Sequence, residues 1–223
     1  MLILVLTRHG LTDRSDPEQH LGQGIDIGLS VAGTAQADAL AARIGGERFD
    51  RIVSSPLLRA RQTAEAIARG RPVEVDARLA EMDYGAWEGL TYEQIEARDP
   101  VLRRRWVADP ATNAAPGGES GDDVAARAGG FLAHTLAWAE PAGGAAQVAL
   151  VVAHATLNRI LLCVALGVPV RDYRRRFSQG QANLTVLRYG VGAAPGEARL
   201  IVLNDTAHLA APGQAPWEMA PGA

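Results

Sequence analysis

The chain of 223 residues contains no lysine, only one cysteine and few aromatic residues (5%). Because Cys163 has no second cysteine to pair with, a disulfide-stapled scaffold is excluded, and a lone thiol is typical of a reducing compartment. No apolar run approaches the roughly 18 residues needed to cross a bilayer. The opening MLILVL is too short for a signal peptide and lacks its basic flank. We therefore expect a soluble, cytoplasmic globular protein with no membrane partner.

The absence of lysine means that all 22 basic residues are arginine. The planar guanidinium of arginine binds phosphate bidentately, so this bias is compatible with phosphate chemistry. The net charge of -3 excludes the global positive field of a nucleic-acid-binding protein, so we expect no nucleic-acid partner. Any anion site must be a local arginine cluster.

Short apolar runs alternate with amphipathic stretches along the chain. This pattern predicts an α/β fold, a three-layer α/β/α sandwich with a mostly parallel central sheet and a small helical cap insertion. The predicted strands cover residues 2–6, 51–53, 72–75, 148–153, 184–188 and 199–203, the last two forming a hairpin.

Three helices are predicted from their caps and apolar spacing. One runs over residues 30–44 with Ser30 as its N-cap, and one follows Ser55, which is expected to cap it with Pro56 at its first position. The third follows residue 154. The second helix is expected to bury Leu57, Ala60, Ala64 and Ile67. The third is expected to bury Leu157, Ile160, Leu161 and Val164.

Residues 1–209 are predicted to form a single domain. The segment from about 80 to 121 interrupts the alternation and is interpreted as the cap insertion, with a long helix following it over about 122–138. Trp87 and Trp106 are expected to pack under this cap. Residues 210–223 form a tail rich in Ala, Pro and Gly that is expected to be only partly ordered.

Polar side chains follow three of the predicted strands at their carboxyl ends, where open α/β sheets bind ligands. They are Arg8 and His9 after the first strand, Arg59 one helical turn beyond the second, and His154 after the fourth. Two histidines and two arginines at one edge would suit a dianionic phosphoryl group. One histidine could attack phosphorus if a backbone carbonyl fixes its tautomer, and the other groups would stabilise the transferred charge.

These residues lie in motifs that resemble the histidine phosphatase superfamily, the phosphoglycerate mutase-like proteins. Residues 6–12 (LTRHGLT) resemble its Arg-His-Gly signature, and four further segments match in order before a closing one. They are residues 54–64 (SSPLLRARQTA), 79–89 (LAEMDYGAWEG), 115–120 (APGGES), 151–154 (VVAH) and 203–209 (LNDTAHL). The closing segment and the short stretch between Trp106 and Pro116 favour a phosphatase-type member.

The resemblance implies a role for each matching residue. His9 would be the nucleophile that becomes phosphohistidine, and Arg8, Arg59 and His154 would bind the transferred group. Glu81, with Asp83 as a competitor, would protonate the leaving oxygen and later activate water, because an alkoxide leaves poorly without a proton. The hydroxyl of Thr12 and the backbone of Ala155 would also contact phosphate. No metal and no cofactor are expected.

The function predicted by this resemblance is metal-independent hydrolysis of a small phosphorylated metabolite. The alternatives are a 2,3-bisphosphoglycerate-dependent phosphoglycerate mutase and a non-catalytic phosphate-binding protein on the same fold. The sequence leaves open which metabolite is the substrate, whether there is a mutase side activity and whether the protein forms a homodimer. It also leaves open the roles of the 11–28 loop, His208 and the arginine runs 103–105 and 174–176. Cys163 is expected to be inert.

Overall fold

The computed structural model describes residues 1–140 and 145–210, so the predicted tail lies outside the described residues except for its first member. One six-stranded sheet has the order β3-β2-β4-β1-β5-β6. Its strands are β1 (Leu2–Arg8), β2 (Arg51–Ser54), β3 (Glu74–Val75), β4 (Gln147–Ala153), β5 (Leu184–Tyr189) and β6 (Arg199–Asp205). Strands β1 to β4 pair in parallel, whereas β5 runs antiparallel to both β1 and β6. The prediction of a mostly parallel sheet ending in a hairpin is confirmed; β3 is shorter than predicted.

Helices cover both faces of the sheet. They are α1 (Val31–Ile44), α2 (Leu58–Ala68), α3 (Tyr92–Arg98), α4 (Pro100–Ala108), α5 (Gly121–Ala139), α6 (Ala155–Leu166) and the single turn α7 (Tyr173–Arg176). Alternate residues of β4 face opposite layers: Leu150 packs with α1 and α2, whereas Val151 packs with α5 and α6. The three-layer prediction is therefore confirmed.

Local sequence explains where α1, α5 and α6 begin and what they bury. The Ser30 hydroxyl accepts the N–H of Gly33 and caps α1 as predicted. Ser120 and Asp123 form a capping box at the start of α5. The predicted apolar face of α6 is buried except for Val164, which is only half-buried.

The predicted start of α2 is wrong. The helix begins at Leu58 rather than Pro56, and its N-cap residue, Leu57, provides no side-chain hydrogen bond. Instead the Asp26 carboxylate accepts the N–H of Leu58 at 2.6 Å. Ser55, the predicted cap, points its hydroxyl to His154. Because Asp26 binds the start of α2, the Ser55 hydroxyl is available to contact His154 at the edge of the sheet.

The 80–121 segment carries α3 and α4, joined by Asp99. Trp87 and Trp106 are buried in the same core as α5 and α6, which confirms that they pack rather than form a ligand platform. Burial raises the pKa of the Cys163 thiol to about 12, as expected for an inert cysteine. Within the described ranges no helix is long and apolar enough to span a bilayer.

Candidate active site

The carboxyl ends of β1 and β4 bring two histidines together. His9 follows β1 and His154 follows β4, and their rings meet edge to face with centroids 5.2 Å apart. Both are buried. The structure therefore places the predicted pair at one edge of the sheet.

The ring of His9 is fixed by its neighbour in sequence. Its Nδ1 lies 2.7 Å from the carbonyl oxygen of Gly10, so Nδ1 carries the proton and donates it. Burial, with the charges of Arg8 and Arg59, holds the pKa of His9 well below 6.5. The ring is therefore neutral near pH 7, with the Nε2 lone pair available. A Cβ on Gly10 would lie 2.4 Å from the carbonyl oxygen of Gly33, so only glycine fits after His9.

His154 is oriented by Ser55. Its Nε2 lies 2.7 Å from the Ser55 hydroxyl, which also accepts the N–H of Leu57. We assign the single hydroxyl proton to the bond with Nε2, which leaves the proton of His154 on Nδ1. Burial and then the charge of Arg59 lower its pKa, so the ring is neutral near pH 7.

The two predicted arginines make different contacts. Arg8 donates to the Gln179 carbonyl and forms an ion pair with Glu18 at 3.1 Å. Arg59 is fully buried and donates to the carbonyls of Leu21, Gly22 and Ile25. Burial lowers the pKa of Arg59, but the side chain is still a cation.

Three nitrogen atoms around His9 are buried without an acceptor. Among the residues that the structure describes, Nε of Arg8, Nε of Arg59 and Nδ1 of His154 have no hydrogen-bond partner. An unpaired buried donor is costly, so natural proteins keep one where a ligand or a function requires it. The arrangement supplies three N–H donors and two positive charges for an anion beside His9.

The Glu81 carboxylate binds the start of α6. One oxygen accepts the N–H groups of Met82 and Leu157, and the other accepts the N–H of Thr156. Glu81 thereby caps α6 from a different part of the chain, with its charge at the positive end of the helix dipole. The competing Asp83 instead accepts the N–H of Gly85 and does not line the cleft.

A second network holds the loop that carries Glu81. The Arg127 guanidinium donates to the carbonyls of Arg78, Ala80 and Glu81 and pairs with Glu119 at 2.9 Å. Gln23 donates to the Glu81 carbonyl and to the Glu119 carboxylate. The backbone of Glu81 is thus fixed from α5 and from the 11–28 loop.

An open cleft leads to His9. Four of the predicted site residues line it: Arg8, His9, Glu81 and Ala155. The other charged or aromatic residues of the lining are Arg14, Glu18, His20, Tyr84, Tyr92, Arg159 and Arg174. Thr12 is buried beside Ser15, and its hydroxyl is within 3.1 Å of that of Ser15. Of the predicted site residues, Thr12, Arg59 and His154 are not part of the lining. The described residues hold no cluster of three or more His, Cys, Asp or Glu suited to a metal ion.

Three residues whose roles the sequence left open, Arg103, Arg174 and His208, have defined contacts in the structure. Arg174 lines the cleft, whereas Arg103 stacks on Tyr92 and Trp106. His208 contacts the Ala182 carbonyl and Arg43, away from the cleft lining.

Sequence reasoning missed four residues of the site. No signal marked Arg127 or Arg159, since each is one of 22 arginines in the chain and lies outside the matched motifs. Ser55 could have been found, because it sits in a matched motif, but its hydroxyl was assigned to a helix cap. Glu18 lies in the 11–28 loop, whose role the sequence left open.

Comparison with known proteins agrees with this geometry. The model of the histidine phosphatase superfamily (branch 1) matches residues 4–206. The glucosyl-3-phosphoglycerate phosphatase of Mycobacterium tuberculosis is 40% identical over 190 residues, covering 82% of this chain and 84% of that protein. Phosphoserine phosphatase 1 of Hydrogenobacter thermophilus is 34% identical over 214 residues, covering 94% and 95%.

Other relatives differ in length. The chain spans about half (54%) of the M. tuberculosis bifunctional protein Rv2228c, to which it is 37% identical over 92% of its own length. Among solved structures, the native mycobacterial glucosyl-3-phosphoglycerate phosphatase superimposes with a TM-score of 0.82 at 38% identity, covering 91% of this chain and 98% of that one.

Proposed function

The chain belongs to the histidine phosphatase superfamily, and we propose that it is a phosphatase that hydrolyses a small phosphorylated metabolite through a phosphohistidine on His9. The observation that carries the proposal is the set of three unpaired buried donors beside a neutral histidine. A phosphoryl group supplies the oxygens that these donors lack. The named phosphatases among its relatives favour hydrolysis over mutase chemistry.

The first step is attack by Nε2 of His9 on phosphorus. A P–N bond forms while the P–O bond to the leaving alcohol breaks, and the Gly10 carbonyl stabilises the proton that remains on Nδ1. Arg8, Arg59 and His154 neutralise the charge on the equatorial oxygens. For Arg59 this means that Nε binds the phosphoryl group while the terminal nitrogens hold the 21–25 loop.

Proton transfer is assigned to Glu81, the carboxyl group of the cleft nearest the start of α6. In its protonated form it gives its proton to the leaving oxygen, and as a carboxylate it then takes a proton from water. That water attacks phosphorus and the P–N bond breaks, which releases inorganic phosphate and regenerates His9. Ala155, at the first position of α6, offers its backbone N–H to the phosphoryl group, and Thr12 acts through the 11–28 loop.

The test is phosphate release from p-nitrophenyl phosphate and a panel of phosphorylated metabolites, with EDTA present. Glucosyl-3-phosphoglycerate and phosphoserine belong in the panel because relatives are named for them. We expect turnover by the wild type, none by His9→Ala, and an acid-labile phosphoenzyme trapped only in the wild type. Absence of release from every compound would overturn the proposal. Interconversion of 2- and 3-phosphoglycerate, primed by the bisphosphate and exceeding hydrolysis, would assign a mutase instead.

A further inference from the structure

Three arginines line the cleft but take no part in the proposed phosphoryl transfer: Arg14, whose guanidinium donates to the Gln19 side chain, Arg159 and Arg174. Arg159 is buried on α6, and Arg174 is half-buried on α7. The mechanism above uses Arg8 and Arg59, and Arg14 lies in the 11–28 loop, so Arg159 and Arg174 on α6 and α7 need another explanation. Their position in a cleft that opens onto His9 makes them candidates for contact with the rest of the substrate.

Arg159 lies on the same face of α6 as Ala155. The two residues are four positions apart, which places them one above the other along the helix. The axial rise between them is about 6 Å. A ligand whose phosphoryl group sits at the start of α6 would therefore meet Arg159 within the length of a small metabolite.

Arg174 is held in place by aromatic side chains. Its guanidinium donates to the Tyr92 hydroxyl at 3.1 Å and lies over the Trp106 ring, 4.8 Å from the centroid. In the described part of the chain it forms no ion pair with a carboxylate. The aromatic contacts fix its position while leaving its charge uncompensated.

The charges of the cleft are out of balance. Four arginines line it against two acidic side chains, Glu18 and Glu81. Glu18 is paired with Arg8, and Glu81 is bound to backbone N–H groups. Burial and then the charges of Arg8 and Arg174 lower the pKa of Arg159, as expected where cations crowd together.

We infer that the substrate carries a second anionic group, a carboxylate or a further phosphate, and that Arg159 and Arg174 bind it while the phosphoryl group sits at His9. The inference rests on the proposed phosphatase function and narrows its substrate class. Paired guanidinium groups recognise carboxylate and phosphate oxygens alike, so the chemistry shared by both ligands is an anionic oxygen cluster.

Matched substrates test the inference without any variant. 3-Phosphoglycerate and glycerol phosphate differ in a carboxylate against a hydroxymethyl group, and fructose 1,6-bisphosphate and fructose 6-phosphate differ in one phosphate. We expect kcat/KM to be roughly 10- to 100-fold higher for the doubly anionic member of at least one pair, as a charged hydrogen bond implies. The pair that shows the preference identifies the second group.

Variants locate the preference. In the pair that shows the preference, Arg174→Gln should bring the ratio of the two kcat/KM values towards one. It should leave hydrolysis of the member without the second anionic group nearly unchanged. Arg175→Gln is the matched control, because it removes the same charge from the same turn but lies outside the cleft lining. Arg159→Gln should act as Arg174→Gln does, and Arg174→Lys should retain part of the ratio.

The outcomes separate the two proposals. If glycerol phosphate and fructose 6-phosphate are hydrolysed as well as their partners, the second anion site is wrong and the phosphatase function stands. A preference that survives in folded Arg174→Gln and Arg159→Gln also overturns the site. If no compound, including p-nitrophenyl phosphate, is hydrolysed, both proposals fall.

Discussion

The imidazole of His9 meets the imidazole of His154 edge to face, 5.2 Å between centroids, and each ring has one nitrogen fixed by its own partner. A carbonyl accepts from His9, so its free nitrogen is a base. A hydroxyl donates to His154, so its free nitrogen is a donor. Two identical side chains therefore offer opposite chemistry to a ligand between them, which is the polarity that transfer of an anionic group to His9 requires.

Neutral buried histidines make folding stability depend on pH. Burial lowers the pKa of His9 and His154 well below 6.5 and that of His20 to about 4. An unfolded histidine titrates near 6.5, so below this pH the unfolded chain binds protons that the folded chain does not. The free energy of unfolding should thus fall as the pH drops from 6.5 to 5, by about 1.4 kcal/mol per pH unit for each histidine. Urea unfolding at several pH values measures the slope.

The control for that slope is His20→Leu. Whatever the substitution does to absolute stability, it removes one histidine whose pKa is lowered by folding and should reduce the slope by about one proton. An unchanged slope would contradict the assignment of His20 as a buried neutral group.

Substitution of Ser55 should lower activity more than substitution of its buried neighbour Ser54. In Ser55→Ala, His154 loses the donor to Nε2 and with it the preference for a proton on Nδ1. We expect kcat/KM to fall about tenfold or more, alongside a loss of about 1–3 kcal/mol in stability. Ser54→Ala is the matched control, since the Ser54 hydroxyl donates to the Ser55 carbonyl and does not touch His154. Equal activity losses in the two variants would reject the role of Ser55.

Much of the fold and part of the site could be predicted from the sequence because the signals were local. Apolar runs located the strands, and the residues just beyond β1 and β4 fell at one edge since parallel strands share a direction. The contacts of Ser55 and Glu81 could not be predicted, because they join residues 99 and 75 or 76 positions apart. The start of α2 was misplaced for the same reason: Asp26, 32 positions away, caps it.

Glu81 has a structural role as a helix cap and a proposed role as a proton donor, and leaving groups separate them. p-Nitrophenolate leaves without a proton, whereas an alkoxide does not. Glu81→Ala should therefore reduce kcat/KM, which reports the step that forms phosphohistidine, about 100-fold or more on glycerol phosphate and far less on p-nitrophenyl phosphate. A loss of about 1–2 kcal/mol in stability should accompany it because α6 loses its cap.

Asp83→Ala is the control for Glu81, since the Asp83 carboxylate accepts the N–H of Gly85 and does not line the cleft. It should lower the two activities by the same factor. If Glu81→Ala lowers kcat/KM equally on both substrates, Glu81 is not the acid that protonates the leaving oxygen.

Arg127 is expected to be a positioning residue for Glu81. Its guanidinium binds the carbonyls of Ala80 and Glu81, so Arg127→Met leaves the acid in place chemically but releases the backbone that aims it. We expect a stability loss of about 1–3 kcal/mol, since the Glu119 carboxylate loses its charged partner and keeps only the donors of Gln23 and Asp83 among the described residues. The activity should show the leaving-group dependence of Glu81→Ala: glycerol phosphate hydrolysis falls more than p-nitrophenyl phosphate hydrolysis. Arg78→Met removes an arginine that pairs with Asp76 and should leave that ratio unchanged. Equal losses on both substrates in Arg127→Met would show that the network supports the fold and does not aim Glu81.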